Sequence, residues 1–449
     1  MKKKINTTFV ILCSFLILIL IGTVLLSLPI STINHQPVPL VDALFTATTS
    51  VCVTGLVTVT TASTWSLFGQ IVMLCLIQIG GLGAIILLAN IFLLTHKKLS
   101  IGNKLLLQDA LNLNSLSNIA TFIKKVVKGT FIIEGIGALC YMTVFVPEYG
   151  AIGIWYSVFN AISAFCNAGI DIIKVNSLCD YVTNPIINFT TMGLIVAGGI
   201  GFIVWFDMLA MTYNLRTMKT KAVKKLSLHT KIVLMITTIL IIGGAAMILI
   251  MEFNNPNTIG NMSLFEKIQA SLFQSVTCRT AGFVTIPQEN FSNASALISM
   301  FLMFIGGSPI GTAGGIKTVT IAVLIISAFS TIQNKNEVSV FNRRIDPVYV
   351  GKALAVCFFS FAVAMFSTLC LTMVSNKPFL DLLFEAVSAT ATVGISRDIT
   401  SSLNIVGKII IIITMYLGRV GPITMATLFY AQKETTNTIK NPTEKIVVG

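Results

Sequence analysis

Charged residues are scarce in this sequence. They make up 10% of its 449 residues, whereas hydrophobic residues make up 55%. A soluble globular domain carries about 25% charged residues to solvate its surface, so a water-soluble surface of this size is excluded. The runs 8–29, 66–95 and 232–251 contain no Asp, Glu, Lys or Arg. Each is long enough to cross a bilayer, which needs about 20 apolar residues.

Metal-binding and catalytic patterns are also missing from the sequence. The nine cysteines have no CxxC spacing and the three histidines are scattered, which argues against a metal site or a disulfide framework. No Ser/His/Asp set, HExxH or Walker loop is found. The glycine-rich stretch 306–317 ends in Gly-Ile-Lys and lies within an apolar span. The sequence therefore predicts neither an enzyme nor a covalently bound cofactor.

Eight apolar segments are predicted to span a membrane. The Lys-rich start resembles a signal peptide, but the run after it has 22 residues and lacks a small-residue cleavage pattern, so we interpret it as a retained first helix. An even number of spans places both termini on the same side. The predicted spans are 8–29, 66–95, 126–146, 185–213, 232–251, 296–330, 353–374 and 407–430.

Positive charge is distributed unequally between alternate segments. Of the 30 Lys and Arg residues, 22 lie at the N-terminus and in segments 96–128, 214–231, 332–352 and 432–449, and six lie in the intervening segments. The positive-inside rule therefore predicts cytoplasmic termini in a cell membrane. This explains the net charge of +13 without a nucleic-acid partner. Two explanations of the basic segments remain open. Their charge either only sets the membrane topology, or it also serves to dock an acidic regulatory partner or anionic lipid.

The intervening, outer segments hold ten of the 17 acidic residues. An acidic outer face would favour cations at its mouth; the alternative is that these segments are merely less basic.

Each outer segment also contains an amphipathic stretch with a Phe (45, 159, 273, 384) nine or ten residues before a Gly (55, 169, 282, 394). The glycines are 114, 113 and 112 residues apart, and such a constant period indicates four copies of one unit. The predicted repeats are 1–123, 124–231, 232–347 and 348–449.

Each repeat contains a span, a half-span that returns and a second span, so all four copies share one orientation. They can pack around an axis normal to the membrane, with four short helices directing their electronegative C-terminal ends inward. Backbone carbonyls can then surround a dehydrated cation if one glycine in each turn adopts positive φ. We predict an all-α polytopic fold of four membrane-pore-membrane repeats with pseudo-fourfold symmetry around a central ion pathway. Its predicted ion-binding residues are Val53, Thr54, Gly55, Asn167, Ala168, Gly169, Thr280, Ala281, Gly282, Thr392, Val393 and Gly394.

The second span of the third repeat cannot be one continuous helix. Five glycines and a proline interrupt it, and each interior glycine costs about 1 kcal/mol relative to alanine. Irregular backbone at this depth is tolerated where protein or a water-filled cavity surrounds it. We therefore predict a gate beneath the filter; a kink for helix packing is the alternative. The predicted gate residues in this stretch are Gly306, Gly307, Pro309, Gly311, Gly314, Gly315 and Lys317.

Arg419 lies in the middle of the last span. An arginine at mid-bilayer costs about 2.5 to 3.5 kcal/mol on insertion scales, so it should face the protein interior or water. There it would be an electrostatic barrier below the filter or a partner for carbonyls of the interrupted span, and we include it in the gate. Glu134 and Asp207 also lie within spans. For both we favour buried, hydrogen-bonded packing over a role as counter-charge.

The four glycine turns, the stretch GGSPIGTAGGIK (306–317) and the motif GRVGP (418–422) resemble the superfamily of Ktr, Trk and HKT K+ transporters. The resemblance covers nearly the whole chain. It is closer to the bacterial Ktr membrane subunit of the KtrB or KtrD kind, because Trk-type subunits carry two additional N-terminal helices. Val53-Thr54-Gly55 and Thr392-Val393-Gly394 also resemble the TVG part of a potassium-channel filter, whereas the turns ending in Gly169 and Gly282 depart from it.

The resemblance implies a homodimer in a bacterial membrane, with one pore per subunit. It implies a cytoplasmic RCK-type nucleotide-binding ring of the KtrA or KtrC type as partner, and the nucleotide is then expected on that ring, not on this chain. It also implies that 306–317 is a gating loop. The predicted function is a K+ uptake subunit with a channel-like pathway that also passes Na+ less selectively. The alternative is a secondary transporter that couples K+ or Na+ to another ion by alternating access.

Overall fold

The computed structural model of the protein describes residues 7–83, 119–174, 176–218, 225–335 and 337–421. Its elements follow one repeated order: a long helix, a short helix, a glycine-containing turn, a short helical turn and a further helix. Unit one has α1 (Thr7–Leu26), α2 (Leu40–Cys52), α3 (Thr61–Thr64) and α4 (Leu67–Leu82). Unit two has α5 (Ile119–Tyr149), α6 (Ile152–Cys166), a 3₁₀ turn (Cys179–Tyr181), α7 (Pro185–Gly199) and α8 (Phe202–Met218).

The other two units have the same order. Unit three has α9 (Leu228–Glu252), α10 (Leu264–Thr277), a 3₁₀ turn (Gln288–Asn290), α11 (Asn293–Phe304) and α12 (Thr318–Ile332). Unit four has α13 (Pro347–Val374), α14 (Phe379–Ala391), a 3₁₀ turn (Thr400–Ser402) and α15 (Ile405–Val420). The four short helices α2, α6, α10 and α14 are called pore helices below.

A capping side chain begins the helix that follows each glycine turn. Ser66, Asn184, Ser292 and Asn404 precede α4, α7, α11 and α15, and each side-chain oxygen accepts a hydrogen bond from an amide in the first turn of its helix. Such a cap satisfies an otherwise unpaired amide and contributes about 1 kcal/mol. The direction in which each chain leaves its turn is therefore fixed locally.

The four units pack as a closed ring. Helix α4 packs on α6, α7 on α10, α11 on α14, and α15 returns to α2, so the helix after each turn contacts the pore helix of the next unit. Two contacts join distant parts of the chain at the closure. Lys408 Nζ lies 2.6 Å from Asp42 Oδ1, and the Tyr416 hydroxyl donates to the Leu12 carbonyl at 3.0 Å. This is the contact pattern expected of four repeats around a centre, while the exact repeat boundaries stay predictions.

The outer surface of the ring is apolar. Leu139, Ile239 and Phe366 lie on the long helices α5, α9 and α13 and expose 65%, 57% and 67% of their surface. By length and composition these three helices are each able to cross a membrane, and the bent pair α7 and α8 makes a fourth span if counted as one. Helices α1, α4, α11 and α12 contain shorter apolar stretches. Exposed apolar area of this extent is suited to contact with lipid.

The predicted span 185–213 is divided. Helix α7 ends at Gly199, α8 begins at Phe202, and the two axes differ by 102°. Gly201 has a φ of 92°, which glycine adopts without steric cost. The prediction of one continuous span over 185–213 was therefore wrong, because the chain bends between α7 and α8.

A small ribbon also departs from a purely helical fold. Strands β1 (Ser339–Val340) and β2 (Arg343–Arg344) pair antiparallel in the basic segment 332–352, with Ser339 opposite Arg344. The C-terminal ends of the predicted spans 66–95 and 407–430 lie outside the described residues.

Candidate ion pathway

The four glycine turns meet at the centre of the ring. Each glycine lies against the carbonyl oxygen of the residue that precedes the next glycine, so closely that an added methyl group would be no more than 2.6 Å from that oxygen. The turns therefore follow each other in cyclic order, and the fourth contacts the first. The pairs are Gly55 with Ala168, Gly169 with Ala281, Gly282 with Val393, and Gly394 with Thr54.

Each turn contains two residues with positive φ, separated by one residue. The glycines have φ values of 102°, 64°, 85° and 93°, in chain order. The residues two positions earlier, Val53, Asn167, Thr280 and Thr392, have φ values of 54°, 59°, 69° and 52°. Positive φ is unfavourable for β-branched residues, so three of these positions must be held by their surroundings. The twelve residues predicted to bind ions thus come together as four similar turns.

A hydroxyl of each pore helix holds the turn that follows. The Gly55 amide donates to Thr49 Oγ1 at 2.9 Å, and the Gly394 amide donates to Ser388 Oγ at 3.1 Å. In unit two the Ile170 amide donates to Ser163 Oγ at 3.2 Å, and in unit three Thr277 Oγ1 donates to the Phe283 carbonyl at 2.6 Å.

The same four residues, Thr49, Ser163, Thr277 and Ser388, accept through their own carbonyls from the amide of the residue before each glycine. Our sequence analysis missed this set. The signal is a Ser or Thr six residues before three of the glycines and five residues before the glycine of unit three.

The carbonyl oxygen atoms of the twelve turn residues accept no hydrogen bonds from the described residues. The buried hydroxyls of Thr54, Thr280 and Thr392 also have no partner within this part of the chain. Buried carbonyls are nearly always paired in proteins. The pore helices end beside the turns, where their dipoles add negative potential. This arrangement is suited to a dehydrated cation.

A cavity of about 410 Å³ lies on one side of the four glycines. It is lined by the glycines and by residues that follow them in each unit. Its charged lining residues among those described are Asp171, Lys174, Glu289 and Asp398. Burial raises the pKa of Asp171 to about 6, against the effect of a hydrogen bond with Ser177. The excess of acids favours cations in this cavity, which we call the outer vestibule.

The segment between α11 and α12 contacts the residues that precede the glycines. Ile305 and Ile316 form a parallel bridge, and the Gly306 amide donates to the Ile316 carbonyl at 2.9 Å. A methyl group added at Gly314 would overlap the Thr392 hydroxyl, and one at Gly306 would lie 3.0 Å from Thr280 Cγ2. The span is interrupted as the glycines predict. The interruption lies on the side of the turns away from the outer vestibule.

The bend between α7 and α8 receives this loop. The amides of Ser308 and Thr312 donate to the carbonyls of Gly199 and Gly198 at 2.8 and 3.1 Å, and the Phe202 amide donates to the Ile310 carbonyl at 2.9 Å. Carbonyls that the end of α7 would leave unpaired are thereby satisfied. The loop and the bend are therefore one structure, of which the sequence analysis found only the loop.

Arg419 connects the loop to unit one. Its Nη1 donates to the Thr312 carbonyl at 2.7 Å, and its Nη2 donates to the Gly80 carbonyl at 2.5 Å. Lys317 Nζ donates to the Ala313 carbonyl at 2.6 Å. The Arg419 guanidinium thus contacts a carbonyl of the interrupted span, as one of its two predicted roles requires.

A second repeated motif ends the helix after the turn in three units. Residues 80–83, 198–201 and 418–421 read GGLG, GGIG and GRVG, and the last glycine of each has a φ of 87° or 92°. The first glycine of each lies against a carbonyl near the end of its own pore helix, that of Val51, Phe165 or Thr390. Arg419 therefore stands where the first two units have Gly81 and Gly199. A sequence comparison of the units beyond the glycine turns could have identified this replacement of glycine by arginine.

Glu134 and Asp207 are held by neutral groups. Gln78 Nε2 donates to Glu134 Oε1 at 3.1 Å. Asp207 accepts from the hydroxyls of Ser227 and Thr230, both at 2.5 Å. Neither carboxylate forms an ion pair within the described residues. The hydrogen bonds agree with the prediction for both residues, and Glu134 is buried as expected, whereas Asp207 is only half-buried. The same part of the chain has no cluster of His, Cys, Asp or Glu arranged for a metal ion.

A helical ring with an apolar outer surface and open carbonyl oxygens at its centre defines a membrane protein built around a candidate ion pathway. The TrkH family, described as cation transport protein, matches residues 2–440. The chain therefore belongs to the TrkH family of cation transport proteins.

Known relatives cover nearly all of this chain. It is similar to the potassium/sodium uptake protein NtpJ of Enterococcus hirae, with 38% identity over 100% of this chain and 98% of that protein. It is also 38% identical to the Ktr system potassium uptake protein B of Bacillus subtilis, over 98% of this chain and 96% of the relative.

A solved structure shares the fold. The crystal structure of the potassium transporter TrkH from Vibrio parahaemolyticus matches with a TM-score of 0.70 at 18% identity, over 92% of this chain and 84% of that one. The predicted resemblance to Ktr and Trk proteins and the polytopic helical fold are confirmed.

Proposed function

We propose that this chain is the ion-translocating membrane subunit of a K+ uptake system and that the four glycine turns form its filter. The observation that carries the proposal is the ring of unpaired carbonyl oxygens, in which each turn contacts the next. K+ entering from the outer vestibule would exchange its water for these oxygens. The relatives named as potassium or potassium/sodium uptake proteins support K+ as a transported ion, and we propose that Na+ passes less readily.

We further propose that residues 306–317 are the gate and that Arg419 holds it closed. The loop lies directly against the turns of units three and four, and Arg419 fixes it to unit one. With the predicted cytoplasmic termini, this is the inner side of the filter. The guanidinium of Arg419 at this level opposes the passage of K+. Opening would exchange carbonyl contacts of Arg419 for water.

The working assembly we propose is a homodimer regulated by a cytoplasmic RCK-type ring that carries the nucleotide. Two relatives are named as protein B of a Ktr system, and such a name implies further components. The basic segment 332–352, with its β1–β2 ribbon, offers a cationic surface on the predicted cytoplasmic face. An acidic partner surface would complement it.

Expression in a cell that lacks K+ uptake tests the function directly. The chain should restore growth at low external K+, and co-expression of a partner ring should increase uptake. Gly169→Ala should abolish the rescue, whereas Gly193→Ala should not, because a methyl group at the helical Gly193 meets no neighbour within 4 Å. No rescue with or without the partner, with the protein present in the membrane, would refute the proposal.

Flux in reconstituted vesicles separates a pore from the alternating-access carrier. A pore passes K+ down its gradient at a rate that a second ion does not change. A carrier shows a fixed stoichiometry between two ions. Coupled movement of K+ and Na+ in a constant ratio would favour the carrier.

A further inference from the structure

Gln78, near the end of α4, joins units one and two through its side-chain amide. Its Nε2 lies 3.1 and 3.3 Å from the two carboxylate oxygens of Glu134 on α5. Its Oε1 accepts a hydrogen bond from the Cys166 thiol, whose sulfur is 3.5 Å away. Glu134 is 4% exposed and Cys166 is fully buried. One buried chain of hydrogen bonds therefore runs from the carboxylate through the amide to the thiol.

The carboxylate gives this chain its direction. An amide side chain donates at one end and accepts at the other, whereas a thiol is a weak donor and a weak acceptor. Both oxygens of Glu134 face Nε2 of Gln78, so Glu134 acts here as the acceptor. The amide oxygen is thereby turned towards Cys166, and the thiol donates to it. A second amide in place of the carboxylate could donate as well as accept, and the orientation of Gln78 would no longer be unique.

Cys166 connects the chain to the second glycine turn. It is the last residue of α6 and directly precedes Asn167, which has a φ of 59° and is one of the predicted ion-binding residues. A methyl group added at Gly81 of α4 would lie 2.6 Å from Cys166 Sγ. The thiol is therefore enclosed between the start of the turn and the end of α4, and a displaced Gln78 would displace the turn.

The equivalent residues of the other units make different contacts. Gln78, Val196 and Tyr416 each stand two residues before the first glycine of the motifs GGLG, GGIG and GRVG. Tyr416 also reaches the first helix of the following unit, where its hydroxyl donates to the Leu12 carbonyl at 3.0 Å. Val196 has an apolar side chain. Among these three described positions, the contact to a carboxylate is specific to Gln78.

We propose that Glu134 is a positioning residue for the second glycine turn and acts through Gln78 and Cys166. This role rests on the filter proposed above, in which the placement of the turn oxygens determines the preference for K+ over Na+. Glu134 lies on α5, a helix long enough to cross the membrane. It therefore gives the turn an attachment outside its own pore helix, and it contributes to selectivity without contacting the ion.

Infrared spectroscopy tests the hydrogen bond independently of transport. A thiol that donates a hydrogen bond has a lower S–H stretching frequency than a thiol that does not. Cys52 is the matched residue, because it is buried three residues before Gly55, as Cys166 is before Gly169, and has no hydrogen-bond partner among the described residues. The band lost in Cys166→Ala should therefore lie at a lower frequency than the band lost in Cys52→Ala. Equal frequencies would overturn the proposal.

The ratio of K+ to Na+ flux in vesicles that contain the full chain tests the role in selectivity. Glu134→Gln and Cys166→Ala should each lower this ratio about fivefold, the change that corresponds to one ordinary hydrogen bond. The double variant should be less than additive, because both changes act on one chain of contacts. Cys166→Ser should keep most of the preference, since a hydroxyl also donates. Cys52→Ala should have the wild-type ratio.

A purely structural role predicts a different result. Glu134→Gln would then lower the melting temperature and leave the flux ratio unchanged, which would overturn the proposal. If Glu134→Gln does not fold, Cys166→Ala decides alone, and a wild-type flux ratio in that variant would equally overturn it. Absence of any K+ preference in the wild type would refute the filter and this role together. Wild-type selectivity in the variants alone would refute only the role of Glu134.

Discussion

Arg419 Nη1 donates a hydrogen bond to the carbonyl oxygen of Thr312 at 2.7 Å, across 107 residues of sequence. The same guanidinium reaches the carbonyl of Gly80 in unit one. Arginine presents its donors in a rigid fork and keeps its charge when buried, and hydrogen bonds to a charged group are about twice as strong as neutral ones. One side chain thus fixes the interrupted span to a different quarter of the ring.

Removal of this fork should open the proposed gate. We expect Arg419→Ala to raise K+ flux in vesicles without any partner, by about tenfold if one charge-assisted hydrogen bond determines the closed state. Deletion of 311–314 removes Thr312 and should act in the same direction. The double variant should be less than additive, because both changes disrupt one contact. Unchanged or lower flux in a folded deletion variant would mean that the interruption is a packing kink.

Substitution of the turn glycines should damage selectivity. A methyl group at Gly169 would lie 2.5 Å from the Gly282 Cα, at a φ of 64° that disfavours any Cβ. We expect Gly169→Ala and its three counterparts to lower K+ affinity or the preference over Na+, as measured by uptake kinetics. The control is Gly243→Ala, where a methyl group meets nothing and helix propensity improves by up to about 1 kcal/mol. Wild-type affinity and selectivity in all four turn variants would disprove the filter.

The pore-helix hydroxyls should be required for selectivity more than for folding. Thr49→Val and Ser388→Ala each remove the acceptor of a filter amide, and a hydrogen bond of this kind contributes about 1 kcal/mol. We expect a larger share of Na+ flux with a small loss of thermal stability. Thr49→Ser should restore the K+ preference. Thr143→Val, which removes a hydroxyl on an exposed part of α5, should have no effect on the flux ratio.

Uptake should depend on external pH through Asp171. Burial raises its pKa to about 6, so it is ionised at pH 7.5 and mostly protonated at about pH 5. As pH falls through 6 the outer vestibule loses a negative charge, and the K+ concentration for half-maximal uptake should rise. Asp171→Asn should show the weaker affinity at both pH values. An unchanged pH profile in this variant would mean that another group titrates.

The raised pKa of Asp171 also makes the unfolding free energy depend on pH. The native state holds the Asp171 proton more tightly than the unfolded chain does, so this group favours folding most below pH 4. That contribution is lost as pH rises through about 6. The unfolding free energy of the wild type should therefore fall between pH 4 and pH 6 relative to that of Asp171→Asn. Denaturation of both proteins in detergent at these two pH values measures the difference.

Topology can be tested by labelling single cysteines in a background without native cysteines. A cysteine at Lys335 should react only from the cytoplasmic side, and cysteines at Asn176, Asn257 and Ser402 only from outside. These positions lie beyond the ends of the packed helices. One inverted position would change the number of spans and remove the common orientation of the four units.

The local features of this fold were predictable because they repeat. Four glycines at a constant period identify four turns, and the glycines and proline of 306–317 cannot continue a helix. The bend at Ile200 was harder to predict, because Gly198, Gly199 and Gly201 are tolerated in a straight membrane helix. The bend is favoured over a straight helix because the loop amides of Ser308 and Thr312 donate hydrogen bonds to the carbonyls at the end of α7.

Contacts between units were not predictable from one sequence. The partners of Arg419 lie 107 and 339 residues away in the chain, and no local pattern encodes them.

The closed ring has a consequence for how the protein is made. Its seam joins Asp42 to Lys408 and Leu12 to Tyr416, so α1 and α2, which are made first, form these two contacts only after α15 has been made. Until α15 is inserted, α2 has one face uncovered and the central oxygens are incomplete. Contacts of such long sequence separation form late and slowly. A nascent chain of three units is therefore an open arc, and the ring closes only when the final quarter of the sequence has been made.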